Sequence, residues 1–201
     1  MSNFPPLRLQ VFKNDEKLAD RESHSWTKNH YIYLFNLGAC LNASNAIMTA
    51  SNLVCVQTDG SQNNTVQNTL HQLYNIGDVL GGLNDDDEGI VVGSGTTAES
   101  WNDYALVSQI SNGTGTGQLQ YATQNNPGFS GDKTLTYSRG FANNSASGVD
   151  VNEIGLIFNT YYTSFNNKYI LMARDVLDST ITVNNGETLT VNYIMTLNYP
   201  G

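Results

Sequence analysis

Charge is scarce in this chain. Only 13% of its 201 residues are charged, with Lys plus Arg 9 against Asp plus Glu 18. The formal net charge of -9 disfavours non-specific nucleic-acid binding, which needs a basic surface. Cysteine is limited to Cys40 and Cys55, too few for a disulfide framework. No CxxC and no nearby pair of histidines accompanies them, so a zinc site is not indicated. Two reduced, partly buried thiols are the first expectation and a single disulfide the second. No run approaches the ~20 apolar residues of a membrane span. Met1 to Pro6 lack a basic stretch leading into an apolar one, so cytosolic synthesis is expected. Histidine is limited to His24, His30 and His71, none in a motif with a nucleophile, and no Gly-x-Ser-x-Gly occurs.

What is present is polar but weakly charged. Asn 26, Thr 19 and Ser 16 make up 61 residues, beside 11 Tyr and 18 Gly. Leu7, Leu9 and Val11 alternate with polar neighbours, and Lys13–Glu16 reads as the turn of a hairpin returning over Lys17–Asp20. The best helix signal follows, capped by Ser23 or Ser25 and stopped by Gly38. Its apolar stripe is Trp26, His30, Leu34 and Leu37, widened by Tyr31 and Phe35. Such a stripe packs on a sheet or meets a neighbouring subunit.

Residues 39–88 read as an irregular insertion, with a short strand at Leu53–Val56 and an Asn-rich loop over Gln62–Thr69. Leu70, Leu73 and Ile76 suit one strand or a short helix. From residue 89 the pattern is β: Ile90–Val92, Gln118–Thr123, Lys133–Phe141, a strand from Val149, Tyr169–Arg174, Ile181–Val183 and Leu189–Leu197. Asn184-Asn185-Gly186 is a tight-turn signal between the last two. Ser100 is placed to cap a helical turn, and Gly140 to mark a bulge or a close backbone approach. The prediction is one mainly β domain over 1–201, an antiparallel β-sandwich or jelly roll with one early helix. Its parts are a hairpin and helix (1–38), the insertion (39–88) and the sandwich core (89–201).

Candidate chemistry is sparse. Asp85-Asp86-Asp87-Glu88 reads as a solvated loop or as a calcium loop that lacks the usual alternating spacing. Gly93-Ser94-Gly95 and the glycines at 113, 115 and 117 lack the Lys of a phosphate loop and read as flexible turns. Glu153 could form a buried pair with Arg139 or Arg174 on other strands. Trp101, Tyr161 and Tyr162 are aromatic candidates for stacking on a sugar ring, the last two in a loop over Tyr161–Asn167. No second carboxylate is singled out for a glycosidase.

The segment Gly89–Leu106 resembles one common in structural proteins of tailed bacteriophages. Phe141–Ser145, Val151–Leu156, Leu171–Leu177 and Ile181–Val191 follow in similar order, and Ser23–Tyr31 is similar to the start of such proteins. The resemblance covers about half the chain. It implies a virion-associated part without catalytic residues or cofactor, in head, neck or tail. The expected partners are further copies of the chain and other virion proteins, with neither nucleic acid nor membrane. The interface candidates are Trp26, His30, Tyr31, Leu34, Phe35, Trp101, Tyr161 and Tyr162. The alternative is a carbohydrate- or receptor-binding module whose ligand is a surface glycan.

Overall fold

A computed structural model describes residues 7–23, 26–39, 54–63, 79–125, 129–130, 134–162 and 166–196. The expected mainly β, sandwich-like architecture holds. Two antiparallel sheets enclose one core, and one helix lies outside it.

The first sheet is built from β1 (Leu7–Lys13), β2 (Glu16–Glu22), β11 (Thr188–Thr196), β8 (Thr134–Ala142) and β6 (Gln120–Tyr121), in the order β2-β1-β11-β8-β6. A short strand, β7 (Phe129–Ser130), also pairs with β8. The second sheet has the order β10-β9-β5, with β5 (Gly89–Gly93), β9 (Val149–Tyr162) and β10 (Asn166–Val183). Within the first sheet, Leu9 faces Tyr193 and Val11 faces Val191 across the β1–β11 pair, and all four are fully buried. Period-2 alternation is what places them on one inner face. Ile90, Val92, Ile154 and Leu156 of the second sheet belong to the same buried cluster.

The 12-residue helix α1 (Lys28–Ala39) packs on the second sheet, beside the two-stranded ribbon of β3 (Cys55–Val56) and β4 (Gln62–Asn63). Among its described side chains Asn29, His30, Ile32 and Tyr33 are buried, and Ile32 and Tyr33 cluster with Cys55, Ile170 and Met172. Of the expected stripe, His30 is buried and Leu34 half-buried, while Trp26 precedes the helix and bridges Ala173 on β10. Of the two expected caps, Ser23 does not serve and Ser25 lies outside the described residues. Ser23 Oγ donates to Asp175, and the chain enters the helix through Thr27, whose hydroxyl donates to Leu171 O on β10. The helix also runs through Gly38 instead of stopping there. Tertiary contacts with β10 thus set the helix entry where local capping signals were read.

Several local expectations change in the same way. Tyr161 and Tyr162 are strand residues of β9, paired with Asn167 and Asn166, and not loop residues. Tyr169–Arg174 and Ile181–Val183 belong to one 18-residue strand with an irregularity between Val176 and Ile181. Gly140 pairs regularly with Thr190 and marks no bulge. Residues 101–102 form a turn, not helix; Ser100 Oγ accepts from Asn102 N–H. Gly186, at φ 83°, makes the turn signalled by Asn184-Asn185-Gly186. Cys40, His24, His71, Leu37's side chain, Phe35's side chain and the Leu70–Ile76 segment lie outside the described residues.

Candidate functional site

Two long irregular loops flank β5, and each is organised by an arginine buried beneath it. The first, 79–88, is held by Arg139 of β8. This side chain is 1% exposed. Its guanidinium donates five hydrogen bonds, all to backbone carbonyls: Ala122, Glu88, Ile90, Gly82 and Asp85. It also lies over the Tyr121 ring, 4.9 Å from the centroid. The planar fork of five donors makes this possible; an ammonium could not span so many acceptors. Burial pushes the guanidinium's pKa down, opposed by Tyr121 and by Asp85, Glu88 and Asp86. Gly81 is a spacer for it, since a Cβ there would overlap the guanidinium.

The second loop, 94–108, leaves β5, crosses β9 to reach β10 and returns. Glu153 of β9 sits beneath it, fully buried. Its Oε1 accepts from the N–H groups of Gly95 (3.1 Å) and Ser108 (2.7 Å). Its Oε2 accepts from Val107 N–H (3.1 Å) and from Arg174 Nε (2.8 Å). Arg174 continues outward to Asp103 (2.8 Å) and to the carbonyl of Thr97 (2.8 Å). Glu99 accepts from Val176 N–H on β10. The buried pair anticipated for Glu153 is therefore with Arg174; Arg139 serves the other loop. Gly93-Ser94-Gly95 is not a flexible turn. A Cβ at Gly93 would stand 2.7 Å from Glu153 Oε1, and one at Gly95 would be closer still. These glycines admit the carboxylate to the backbone.

The two loops are joined through Asp86. Its carboxylate accepts from Asn112 N–H (2.7 Å), and its carbonyl accepts from the Gln109 side chain, two residues beyond Val107. The acidic run is thus tied into structure: Asp85 accepts from Asp87 N–H and Glu88 from Asn159. Asp87 is exposed, and its pKa is raised by partial burial and by the neighbouring Asp85 and Asp86. Among the described residues, no group of three His, Cys, Asp or Glu side chains is placed to hold a metal ion.

What these locked loops present is apolar. Of the five large hydrophobic side chains exposed among the described residues, four lie on them: Leu83 (68%), Trp101 (51%), Tyr104 (44%) and Val107 (56%). The sequence candidates partly converge here. Trp26 stacks on His30 at 3.7 Å between centroids, His30 meets Tyr31 edge-on at 5.5 Å, and Tyr31 meets Trp101 at 4.8 Å. This aromatic row runs from buried His30 to half-exposed Trp101, and Lys28 N–H donates to Trp101 O at its border. Burial lowers the His30 pKa to about 4, so the ring is neutral near pH 7. Leu34 lies on the helix away from this row's ring contacts, and Tyr161 and Tyr162 lie at the paired ends of β9 and β10.

Sequence reasoning missed Tyr104, Val107, Leu83 and the role of Arg139. A signal existed. From Val79 to Asn125 the chain has six carboxylates and no Lys, Arg or His, yet abundant Gly. Such a stretch needs a cation from elsewhere if it is to pack. A separate cleft of about 520 Å³ lies between β2 and residues 177–182 of β10. Three of its lining charges are engaged within the fold, Arg21 donating to Val176 O, Asp20 accepting from Arg8 and Lys17, and Lys13 pairing with Glu187, while Asp178 is exposed. Comparison with protein-family models, curated proteins and solved structures finds no match.

Proposed function

We propose that this chain is a non-catalytic structural component of a bacteriophage particle, acting by protein–protein contact through its loop face. The observation that carries the reading is the pairing of rigidity with exposure. Two loops fixed by buried arginines hold Trp101, Tyr104 and Val107 in solvent. Exposed apolar side chains on a stiff frame lower the ordering cost of association, and aromatic anchors contribute most to interfaces. The resemblance of Gly89–Leu106 to phage structural proteins falls on β5 and this loop. It supports the same reading and leaves head, neck and tail open.

The test is composition. Particles produced from the genome that encodes the chain are purified on a density gradient and analysed by mass spectrometry. Stoichiometric presence of the chain is expected, and its absence contradicts the proposal.

A second reading is favoured by one observation, the half-exposed Trp101 ring beside Tyr31. Such a pair can stack on a sugar ring, making the chain a glycan-contacting module. A glycan panel decides it: binding abolished by Trp101→Ala with the fold intact supports this reading, and no binding across the panel removes it.

A further inference from the structure

We infer that the loop face docks a different protein, whose contact surface is apolar at its centre and basic on one flank, and that a second copy of this chain is not the occupant. The inference rests on the proposed function for the role of the face and goes beyond it in naming the partner's chemistry.

The apolar centre is Trp101, Tyr104 and Val107. On its β5 side lies the acidic loop, connected by the Gln109–Asp86 hydrogen bond. The six carboxylates of residues 79–125 have no Lys, Arg or His among them. The cations that compensate them, Arg139 and Arg174, are each 1% exposed and cannot reach a partner. The outward charge of that flank is therefore acidic, around the exposed Leu83. Lys28 stands on the opposite, helix side.

Two copies meeting face to face about a two-fold axis would set each run of four carboxylates, Asp85 to Glu88, either against the same run of the other copy or against its single Lys28, so most of that charge stays unmatched. A head-to-tail contact needs a basic surface elsewhere on the chain. The densest basic stretch is the β1–β2 hairpin, and it offers none. Arg8, Lys13, Lys17 and Arg21 there are matched by Asp15, Glu16, Asp20 and Glu22, and Arg8 and Lys17 already pair with Asp20. Area points the same way. Leu83, Trp101, Tyr104 and Val107 fill only the centre of a standard interface of about 800 Å² per partner, so the rest of the contact is polar and charged. The contact therefore depends on basic charge around the apolar anchors, which no patch among the described residues of this chain supplies.

The experiment uses the full chain and two fluorescein-labelled synthetic peptides that share a Leu-Phe-Leu centre, one flanked by lysines and the other by glutamates. Fluorescence anisotropy reads binding, and sedimentation velocity reads self-association in parallel. The expected result is saturable binding of the lysine peptide, weakened roughly tenfold from low to high salt, with no binding of the glutamate peptide. Trp101→Ala abolishes the binding and Asp87→Asn weakens it several-fold. Unchanged thermal unfolding shows that both variants fold. Equal binding of the two peptides, no binding of either, or a dimer dissolved by Trp101→Ala each overturns the inference. Particle composition is read separately, so this inference can fail while the proposed function stands.

Discussion

Arg139 and Glu153 hold the irregular parts of this protein through bonds that no substitute reproduces. Replacing Arg139 by Met would take the donor from five backbone carbonyls, that of Ile90 buried and the other four partly buried. A loss of at least about 3 kcal/mol of stability is expected in chemical denaturation. Arg139→Lys, with one compact ammonium, should recover part of it. His30 sets a pH dependence. Its folded pKa of about 4 lies below the ordinary value, so the unfolded chain binds a proton first as pH falls. The stability associated with neutral His30 is complete above about pH 6.5 and is lost as pH falls towards 4, by up to about 3 kcal/mol. Denaturation midpoints measured from pH 7 to 4 should fall less steeply in His30→Gln. A slope unchanged in that variant would remove His30 from the account. These roles were half legible in the sequence. A buried Glu153 partner was readable because an ionisable residue stood among strand residues. Arg139's role was not, since its acceptors are carbonyls, which every residue carries. Trp101 was readable as an exposed aromatic; Tyr104 and Val107 gained meaning only once the loop was seen to turn them outward.

At the scale of elements, the β8 and β11 assignments held because one face of each is apolar, whereas β9 is buried on both faces over residues 151–157. The helix was legible in type and in part of its buried face: His30 goes inward against Trp26 as the spacing placed it, while Ile32 and Tyr33 were missed. Periodicity from Trp26 placed the stripe by local spacing, whereas the Trp26–Ala173 bridge and the Thr27–Leu171 bond rotate α1 so that Ile32 and Tyr33 go inward. The 94–108 loop was not legible as an ordered element, because what orders it lies on β9 and β10, far along the chain. It should nevertheless behave as one. Glu153→Gln keeps the shape but turns an amide N–H₂ towards N–H donors and removes the charge beside Arg174. A cost of about 3 kcal/mol is expected, with new proteolytic cleavage confined to residues 94–108. Resistance equal to the parent's would show that the loop is held by something else.

For the whole molecule, the sheet edges bear on assembly. β2 is an edge strand with Glu16, Lys17, Asp20, Arg21 and Glu22 in seven residues. Two copies paired antiparallel about Ala19 would set Glu16 against Glu22 and Lys17 against Arg21, like charge against like. Edge-to-edge association through β2 is therefore disfavoured, as is face-to-face association through the acidic loops. Light scattering over a concentration series should give a monomer for the isolated chain. A discrete dimer insensitive to salt would contradict this. A chain of that kind waits for a partner instead of assembling alone, which suits a component added to a larger structure.

The claim on which all of this rests is that two loops without regular structure are as fixed as the sheets. Amide hydrogen exchange tests it at the N–H groups of Gly95, Val107 and Ser108, which donate to buried Glu153. The account predicts protection comparable to the strand amides of β9 in the parent protein, collapsing in Glu153→Gln while β9 stays protected. Exchange of these three amides at the rate of open loops in the parent would contradict it.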